Sequence, residues 1–344
     1  GTYLTCEEST ENYIDTTQNE NGYGWVIEID PLGELAALAT PVKHTAMGRF
    51  DHENTAYMLN ANNRMAFYMG DDSTPGGIYK FVPDGSYNPS NRAANATLLT
   101  QGKLYAAQFK PDGTGVWLLL DVATATTGGS TLGALYGDLP GIILNTRGAG
   151  DAVGATPMDR PEWTTVNPLN GDVYLTLTNN SARTPEKVDA ANPRGPNRHG
   201  HIIRWHDSDD QLSFTWDIFV FGANAAGTAD INRSGLTELN QFASPDGMSF
   251  DSRGVLWIET DNGESTLTDY TNDQMLAVIP ALLLLPFADS FSSYLLLGFW
   301  FGISGVSFSL GVRYVSQWFA SSRQGRALGL FGIGNAGVAI TFVL

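Results

Sequence analysis

The chain has 344 residues, and its 19 lysines and arginines stand against 36 aspartates and glutamates, for a formal net charge of −17. So acidic a chain is a poor partner for a phosphate backbone, and we expect no nucleic-acid binding. Carboxylates suit hard cations such as calcium instead. The single cysteine, Cys6, excludes an intrachain disulfide.

Residues 1–273 alternate short strand-like runs with turns rich in Gly, Asn, Asp and Pro, which predicts an all-β fold. A short pattern recurs within this region. It consists of an aromatic residue, an apolar residue, two variable positions and then polar side chains that can accept hydrogen bonds. Its four copies begin at Tyr3, Phe67, Tyr174 and Trp257.

An acid precedes three of these copies at a corresponding position, namely Glu53, Glu162 and Asp246. The intervals between the acids are 109 and 84 residues, each close to two β-propeller blades of about 40–50 residues. A propeller therefore explains the repeat, whereas an open sandwich, the alternative all-β architecture, does not. Because the innermost strand of each blade lines the channel, the three acids should converge on one axis.

Converging carboxylates repel one another unless cations neutralise them or they take up protons. A site for several metal ions with carboxylate ligands is one interpretation. The other is that these acids cap turns or face solvent, and the spacing by itself leaves both open.

The repeat also predicts an incomplete propeller. The chain begins at Gly1, directly before the second strand of one copy, and the last copy reaches Gly263 without a third strand. We therefore expect a propeller fragment that is truncated at both ends and lacks the segment in which an export signal would stand.

Residues 274–344 differ sharply from the rest, because they carry a net charge of +2 and leave −19 for residues 1–273. This contrast predicts a second domain over residues 274–344. It contains three apolar stretches, 275–288, 294–312 and 327–344, of which the last two approach the ~20 residues of a membrane-spanning helix. An all-α transmembrane helical fragment is predicted, with a buried helical hairpin of a soluble protein as the alternative.

The tail contains the run YLLLGFWFGISGVSFSLGVRYVSQWFASSRQGRALGLFGIGNAGVAI from Tyr294, with a Gly-rich signature at Gly332 to Gly337. This run resembles the third to fifth helices of the nitrate/nitrite porters of the major facilitator superfamily. About 70 residues cannot build a transporter of a dozen helices, so the resemblance does not imply transport by this chain.

Several long motifs lie within residues 1–262. They are GTYLTCEE at Gly1, GRFDHEN at Gly48, DAVGATPMDRPEWTTVNPLNGDVYLTLTNN at Asp151, NPRGPNRHGHIIRW at Asn192 and SPDGMSFDSRGVLWIETD at Ser244. These motifs resemble the PhoX-type alkaline phosphatases. The resemblance implies a propeller that carries iron and calcium, hydrolyses phosphomonoester substrates, and is exported to the periplasm or the cell exterior.

The resemblance also assigns roles to single residues. Cys6 matches a metal-bound cysteine of the family, and a thiolate suits iron, although a lone cysteine without this motif would be a small buried hydrophobe. Arg160 matches a phosphate-contacting arginine, with a surface salt bridge as the alternative. The matching metal-binding acids are Glu53, Glu162 and Asp246, and the further candidate ligands are Glu7 and Asp261.

The sequence thus predicts metal-assisted phosphomonoester hydrolysis in which Arg160 clamps the developing charge. The alternatives are a calcium-stabilised propeller module without catalysis and a membrane transport component. The phosphatase family works outside the cytoplasm, whereas the porter-like helices would leave the acidic domain inside it. We therefore expect a chimera of two fragments with impaired activity, which residues 275–344 would hold at the inner membrane.

Overall fold

The computed structural model describes residues 2–11, 22–60, 62–263 and 269–278. They form a mostly β structure, as the sequence predicts, with antiparallel strands and a few short helices. The strands are β1 (Tyr3–Cys6), β2 (Val26–Ile29), β3 (Val42–Lys43), β4 (Ala56–Leu59), β5 (Met65–Gly70), β6 (Ile78–Pro83), β7 (Gly102–Phe109), β8 (Thr114–Leu119), β9 (Pro161–Val166), β10 (Val173–Leu177), β11 (His201–Asp207), β12 (Ser213–Phe221), β13 (Pro245–Phe250), β14 (Leu256–Thr260) and β15 (Met275–Val278). The helices are α1 (Arg92–Asn95), α2 (Leu132–Tyr136), α3 (Leu139–Leu144) and α4 (Thr146–Val153).

The strands form three sheets. The first has the order β1-β2-β3 and the last the order β13-β14-β15. Between them in the sequence lies a nine-stranded sheet with the order β4-β5-β6-β7-β8-β12-β11-β10-β9, so that two meanders join where β8 pairs with the beginning of β12. Each meander therefore leaves its first strand, β4 or β9, at an outer edge of this sheet.

The two outer edges meet, so the nine-stranded sheet nearly closes on itself. The side chain of Asn54, just before β4, donates a hydrogen bond to the Thr164 carbonyl at 2.7 Å and accepts one from the Thr164 amide at 2.8 Å. Strand β10 also contacts β13, because Thr176 Oγ1 donates a hydrogen bond to the Asp246 carbonyl at 2.8 Å. The segments that carry the three predicted acids are thus neighbours.

Both faces of β5 are covered, which is why its sequence, MAFYMG, reads as a nearly continuous apolar run. Along β5, Phe67 and Met69 pack on one side with α3 and α4, while Ala66 and Tyr68 pack on the other with Trp205. This alternation follows from the two-residue period of a strand. The core therefore holds β5, and the residues that directly follow it, in place.

The apolar run that begins at Met275 is a strand at its start, and the prediction of a helix over 275–288 is wrong for Met275–Val278. These residues form β15 beside β14, and the Thr260 amide donates to the Gln274 carbonyl at 3.1 Å. The last repeat therefore has the third strand that the sequence was expected to lack. The physical reason is that an open sheet edge leaves backbone groups unpaired, and an adjacent apolar segment can pair with them.

The chain divides into two units between Ala277 and Val278. In the described part of the chain, no helix has the length and apolarity that crossing a membrane requires. The stretches 294–312 and 327–344, which the sequence predicts to be transmembrane helices, lie outside the described residues.

Gly70, the last residue of β5, provides a test of this packing. An added Cβ there would lie 2.6 Å from the Pro161 carbonyl oxygen and closer still to that of Glu162. Because backbone atoms of β9 cannot move aside cheaply, we expect Gly70→Ala to lower the free energy of unfolding by about 1–3 kcal/mol in urea titrations. Gly128→Ala is the control, since its Cβ would meet nothing closer than 3.9 Å. Equal effects of the two substitutions would contradict the proposed contact.

Candidate metal centre

The residues directly before strands β9 and β13 have the same unusual backbone conformation. The preceding residues, Arg160 and Ser244, have φ angles of 55° and 51°, a region that non-glycine residues adopt only when their surroundings hold them there. Their carbonyl groups accept hydrogen bonds at equivalent places, from the Thr178 amide at 3.1 Å and the Asp261 amide at 3.0 Å. Arg160 and Ser244, each two residues before one of the predicted acids, therefore occupy equivalent places in the structure.

A bulge follows in both strands. Pro161 opposes Leu177 and Pro245 opposes Thr260, and in each pair of strands the register then shifts by one residue. Bulges of this kind redirect a side chain and are frequent beside active sites. The residue after each proline is the predicted acid, Glu162 in β9 and Asp246 in β13.

The redirected acids meet a third one. Glu53, Glu162 and Asp246 each contribute a carboxylate oxygen, and these three oxygens lie within 4.8 Å of one another. Asn54 ties the loop of Glu53 to β9 through the two hydrogen bonds with Thr164. The structure therefore brings together the three acids that the repeat placed on one axis, while their role as metal ligands stays a prediction.

The electrostatics of the group favour a cation. Burial raises the pKa of Glu53 to about 8, and the charges of Glu8, Asp72 and Asp246 contribute to the increase. The pKa of Glu162 is raised well above its ordinary range, first by burial and then by a hydrogen bond with Asp246. In addition, Glu162 is buried, so its carboxylate is shielded from the water that would otherwise solvate its charge. A bound cation would remove the repulsion among the three carboxylates and offset the cost of burying their charge, so the donor set fits a metal ion.

Arg160 stands beside the three acids. Its Nε lies 2.7 Å from Asp72 Oδ1, and its Nη2 lies 3.1 Å from Asp72 Oδ2 and 2.8 Å from Glu162 Oε1. About a third of the side chain is exposed, so the guanidinium is accessible from solvent. A planar cation in this position can bind a phosphoryl group with more than one N–H.

Cys6, at the end of β1, lies next to Glu53 but outside the group of three acids. Its Sγ is 3.4 Å from Thr55 Oγ1. Burial raises the pKa of the thiol to about 11, the Thr55 contact lowers it, and the charges of Glu53 and Glu8 raise it further. A soft metal ion would therefore have to displace the thiol proton in order to bind Cys6.

The structure does not bring Glu7 into the cluster. Its carboxylate pairs with Lys43 Nζ at 2.5 Å and accepts a hydrogen bond from the Trp25 amide at 3.1 Å. Successive side chains of an extended chain point to opposite sides, so it is Glu8 that shares the side of Cys6 and acts on Glu53. The two-residue period was the signal that could have selected Glu8.

Two further comparisons within the repeat are informative. Asp72 holds the position of Glu8 in the second copy, and it too faces the cluster, through Arg160. Sequence reasoning did not select it. Asp261 holds the position of Glu7 in the fourth copy; its side chain is exposed, and its backbone amide donates to the Ser244 carbonyl at 3.0 Å. The geometry gives no support for Asp261 as a ligand.

The stability of the metal-free chain should fall as the pH rises from about 5 to about 8. The pKa of Glu53 is 4.5 ordinarily and about 8 in the folded state, so the folded chain keeps a proton that the unfolded chain releases. This contribution is complete below the ordinary pKa and is lost as the pH rises through the folded-state value. Thermal unfolding in a chelator across this range measures it, and Glu53→Gln should flatten the slope. An unchanged slope in Glu53→Gln would contradict the conclusion that the raised pKa of Glu53 causes the pH dependence.

Known proteins similar to this chain include phosphatases. A family model described as "Alkaline phosphatase PhoX" matches residues 1–281. Among solved structures, the chain is similar to Pseudomonas fluorescens PhoX in complex with vanadate, a transition state analogue, with 37% identity and a TM-score of 0.70. The alignment covers 82% of this chain and 57% of that one, so this chain spans a little more than half the length of that relative.

Short stretches match a different class of protein, as the tail motifs indicated. The probable nitrate/nitrite antiporter NarK1 of Thermus thermophilus is 46% identical over 54 residues, which are 16% of this chain and 12% of that protein. The probable nitrate transporter NarT of Staphylococcus epidermidis is 36% identical over 66 residues, 19% of this chain and 17% of that protein. Both resemblances found in the sequence are confirmed as similarities.

Proposed function

The chain belongs to the alkaline phosphatase PhoX family, and from this premise we propose that it hydrolyses phosphomonoesters at a metal centre held by Glu53, Glu162 and Asp246. The observation that carries the proposal is the convergence of three carboxylate oxygens within 4.8 Å, beside an accessible arginine. The similarity to Pseudomonas fluorescens PhoX, whose structure contains vanadate, a transition state analogue, also supports the proposal.

The residues of the site have separate roles in the proposed reaction. Glu53, Glu162 and Asp246 bind the ions, with Glu8 and Asp72 close enough to add negative charge. Bound metal ions neutralise the phosphoryl oxygens and lower the pKa of water. Arg160 binds the phosphoryl group and stabilises the charge that develops in the transition state. Because these contacts grip the phosphate rather than its ester group, substrate specificity should be broad.

The kinds of metal follow from the donor atoms. Carboxylate oxygens are the ligands of calcium, and the Cys6 thiolate is a soft ligand that suits iron. We therefore propose calcium at the carboxylates and iron next to Cys6. Family membership supports export to the periplasm or the cell exterior, where such a hydrolase meets its substrates.

We also infer that the three sheets belong to a β-propeller. The shared backbone of β9 and β13 and the shared convergence of their acids support this architecture. The boundary with the porter-like segment then follows β15. A membrane attachment of that segment rests on its sequence alone, and matches of 54 and 66 residues do not support transport.

Activity of the full chain tests the proposal directly. The chain is stripped of metal with a chelator, reloaded with calcium and iron, and assayed on p-nitrophenyl phosphate with and without vanadate. We expect hydrolysis only after reloading, and inhibition by vanadate. Metal binding without hydrolysis would instead favour the calcium-stabilised binding module.

Cys6→Ser separates the same two functions. If Cys6 holds iron, this substitution should reduce hydrolysis to background and remove iron from the protein, because a hydroxyl is a poor ligand where a thiolate is needed. Calcium binding should persist, since the carboxylates are intact. Full activity in Cys6→Ser would show that the thiol is only a small buried side chain.

A further inference from the structure

Arg147, on α4, lies directly behind the loop that carries Glu53. Its Nε is 2.7 Å from Asp71 Oδ2, and its Nη2 is 2.6 Å from Asp71 Oδ1 and 2.8 Å from Asp51 Oδ2. One guanidinium therefore connects two carboxylates that come from different segments, the end of β5 and the loop before β4. None of these three residues belongs to the proposed ligand set.

The two carboxylates are in turn connected to the segments of the site. The Asp51 amide donates to Asp71 Oδ1 at 3.3 Å, and the Asp72 amide donates to the Asp51 carbonyl at 3.0 Å. Asp51 Oδ1 accepts from the Thr10 amide at 2.9 Å. These bonds end within two residues of Glu53, Asp72 and Glu8, the groups that face the cluster.

The charge of Arg147 makes this arrangement possible. Asp71 is fully buried, and burial raises its pKa, whereas the bond and charge of Arg147 lower it. Without a cation, two carboxylates this close would repel each other, and the buried Asp71 would have no opposite charge beside it, which is costly. The planar fork of an arginine reaches three oxygens at once, and a lysine ammonium cannot reproduce that geometry.

We propose that Arg147 is a positioning residue of the metal centre, which fixes the Glu53 loop, the end of β5 and the exit of β1 relative to one another. The inference rests on the proposed metal-dependent function. It assigns Arg147 no contact with substrate or metal. The residue acts through Asp51, which lies two residues before Glu53, and through Asp71, which directly precedes Asp72.

Direct calcium binding provides the test, because a merely structural arginine would change stability without changing affinity. The full chain and its Arg147→Lys and Arg147→Met variants are stripped of metal and dialysed to equilibrium against calcium chloride. We expect calcium to bind about 10–100-fold more weakly in both variants, as for other groups that orient ligands. The control is Arg204→Met, which breaks a two-bond pair with Asp217 (2.9 and 2.6 Å) on β11 and β12 and should leave affinity unchanged.

Each outcome decides a separate point. Unchanged calcium affinity in folded Arg147→Lys overturns the positioning role, even if its melting temperature has fallen. If Arg147→Met fails to fold, Asp51→Asn, which weakens the same connection and keeps the side-chain shape, must show weaker binding; unchanged affinity there also overturns the proposal. Absence of calcium binding in the unsubstituted chain would overturn the metal centre itself, whereas binding without hydrolysis would overturn only the proposed phosphatase activity.

Discussion

Glu162→Gln is expected to reduce both metal binding and phosphomonoester hydrolysis by more than about 100-fold. Groups that merely orient metal ligands already contribute about 10–100-fold, and Glu162 is proposed as a ligand at the centre of the cluster. Its carboxylate is buried and lies in the bulge that aims it at Glu53 and Asp246. An amide cannot supply the same charge to a cation.

The same substitution should stabilise the metal-free chain at about pH 8. Burial and the hydrogen bond with Asp246 raise the pKa of Glu162, so ionising this carboxyl in the folded state is unfavourable, and a neutral amide removes that penalty. Urea unfolding in a chelator measures the effect. Glu259→Gln, which changes an exposed acid on β14, is the matched control and should change neither property. A loss of stability in metal-free Glu162→Gln would refute the argument that the acids are mutually destabilising.

Removal of the Arg160 side chain should lower kcat by about 10²–10³-fold, the usual effect of removing one donor that stabilises transition-state charge. Inhibition by vanadate should weaken in parallel. Arg160→Gly is the most informative variant, because a φ of 55° suits glycine and the bulge before Glu162 can persist. Arg160→Lys should be intermediate, since a lysine retains the charge but not the fork.

Two controls separate this effect from a general loss of charge or fold. Arg253→Ala removes an exposed arginine whose ion pair is with its neighbour Asp251, and it should leave kcat unchanged. Calcium affinity should be retained in Arg160→Gly, because the carboxylates remain. If kcat falls in proportion to lost metal, Arg160 serves the metal centre through Glu162 and not the phosphoryl group.

Two alternatives that the sequence leaves open concern the three acids and Arg160. The three acids converge, with oxygens within 4.8 Å of one another and Glu162 buried, while their role as metal ligands stays a prediction. The surface salt bridge considered for Arg160 does exist, with Asp72, but the same guanidinium also reaches Glu162. Both observations needed contacts between segments that are far apart in the sequence.

The mostly β fold and the convergence of Glu53, Glu162 and Asp246 could be predicted from the sequence alone. These conclusions were accessible because strand alternation and an internal repeat are local properties, and a repeat transfers any position in one copy to the others.

The three-dimensional structure was needed to show that Glu8 rather than Glu7 faces the cluster, that Met275–Val278 complete a sheet, and that Arg147 lies behind the site. Glu7 is occupied by Lys43, 36 residues away, and Arg147 by Asp71 and Asp51, 76 and 96 residues away. The physical reason is that the partner of a charged side chain depends on which distant segments the core packs side by side, and no local pattern in the sequence encodes that choice.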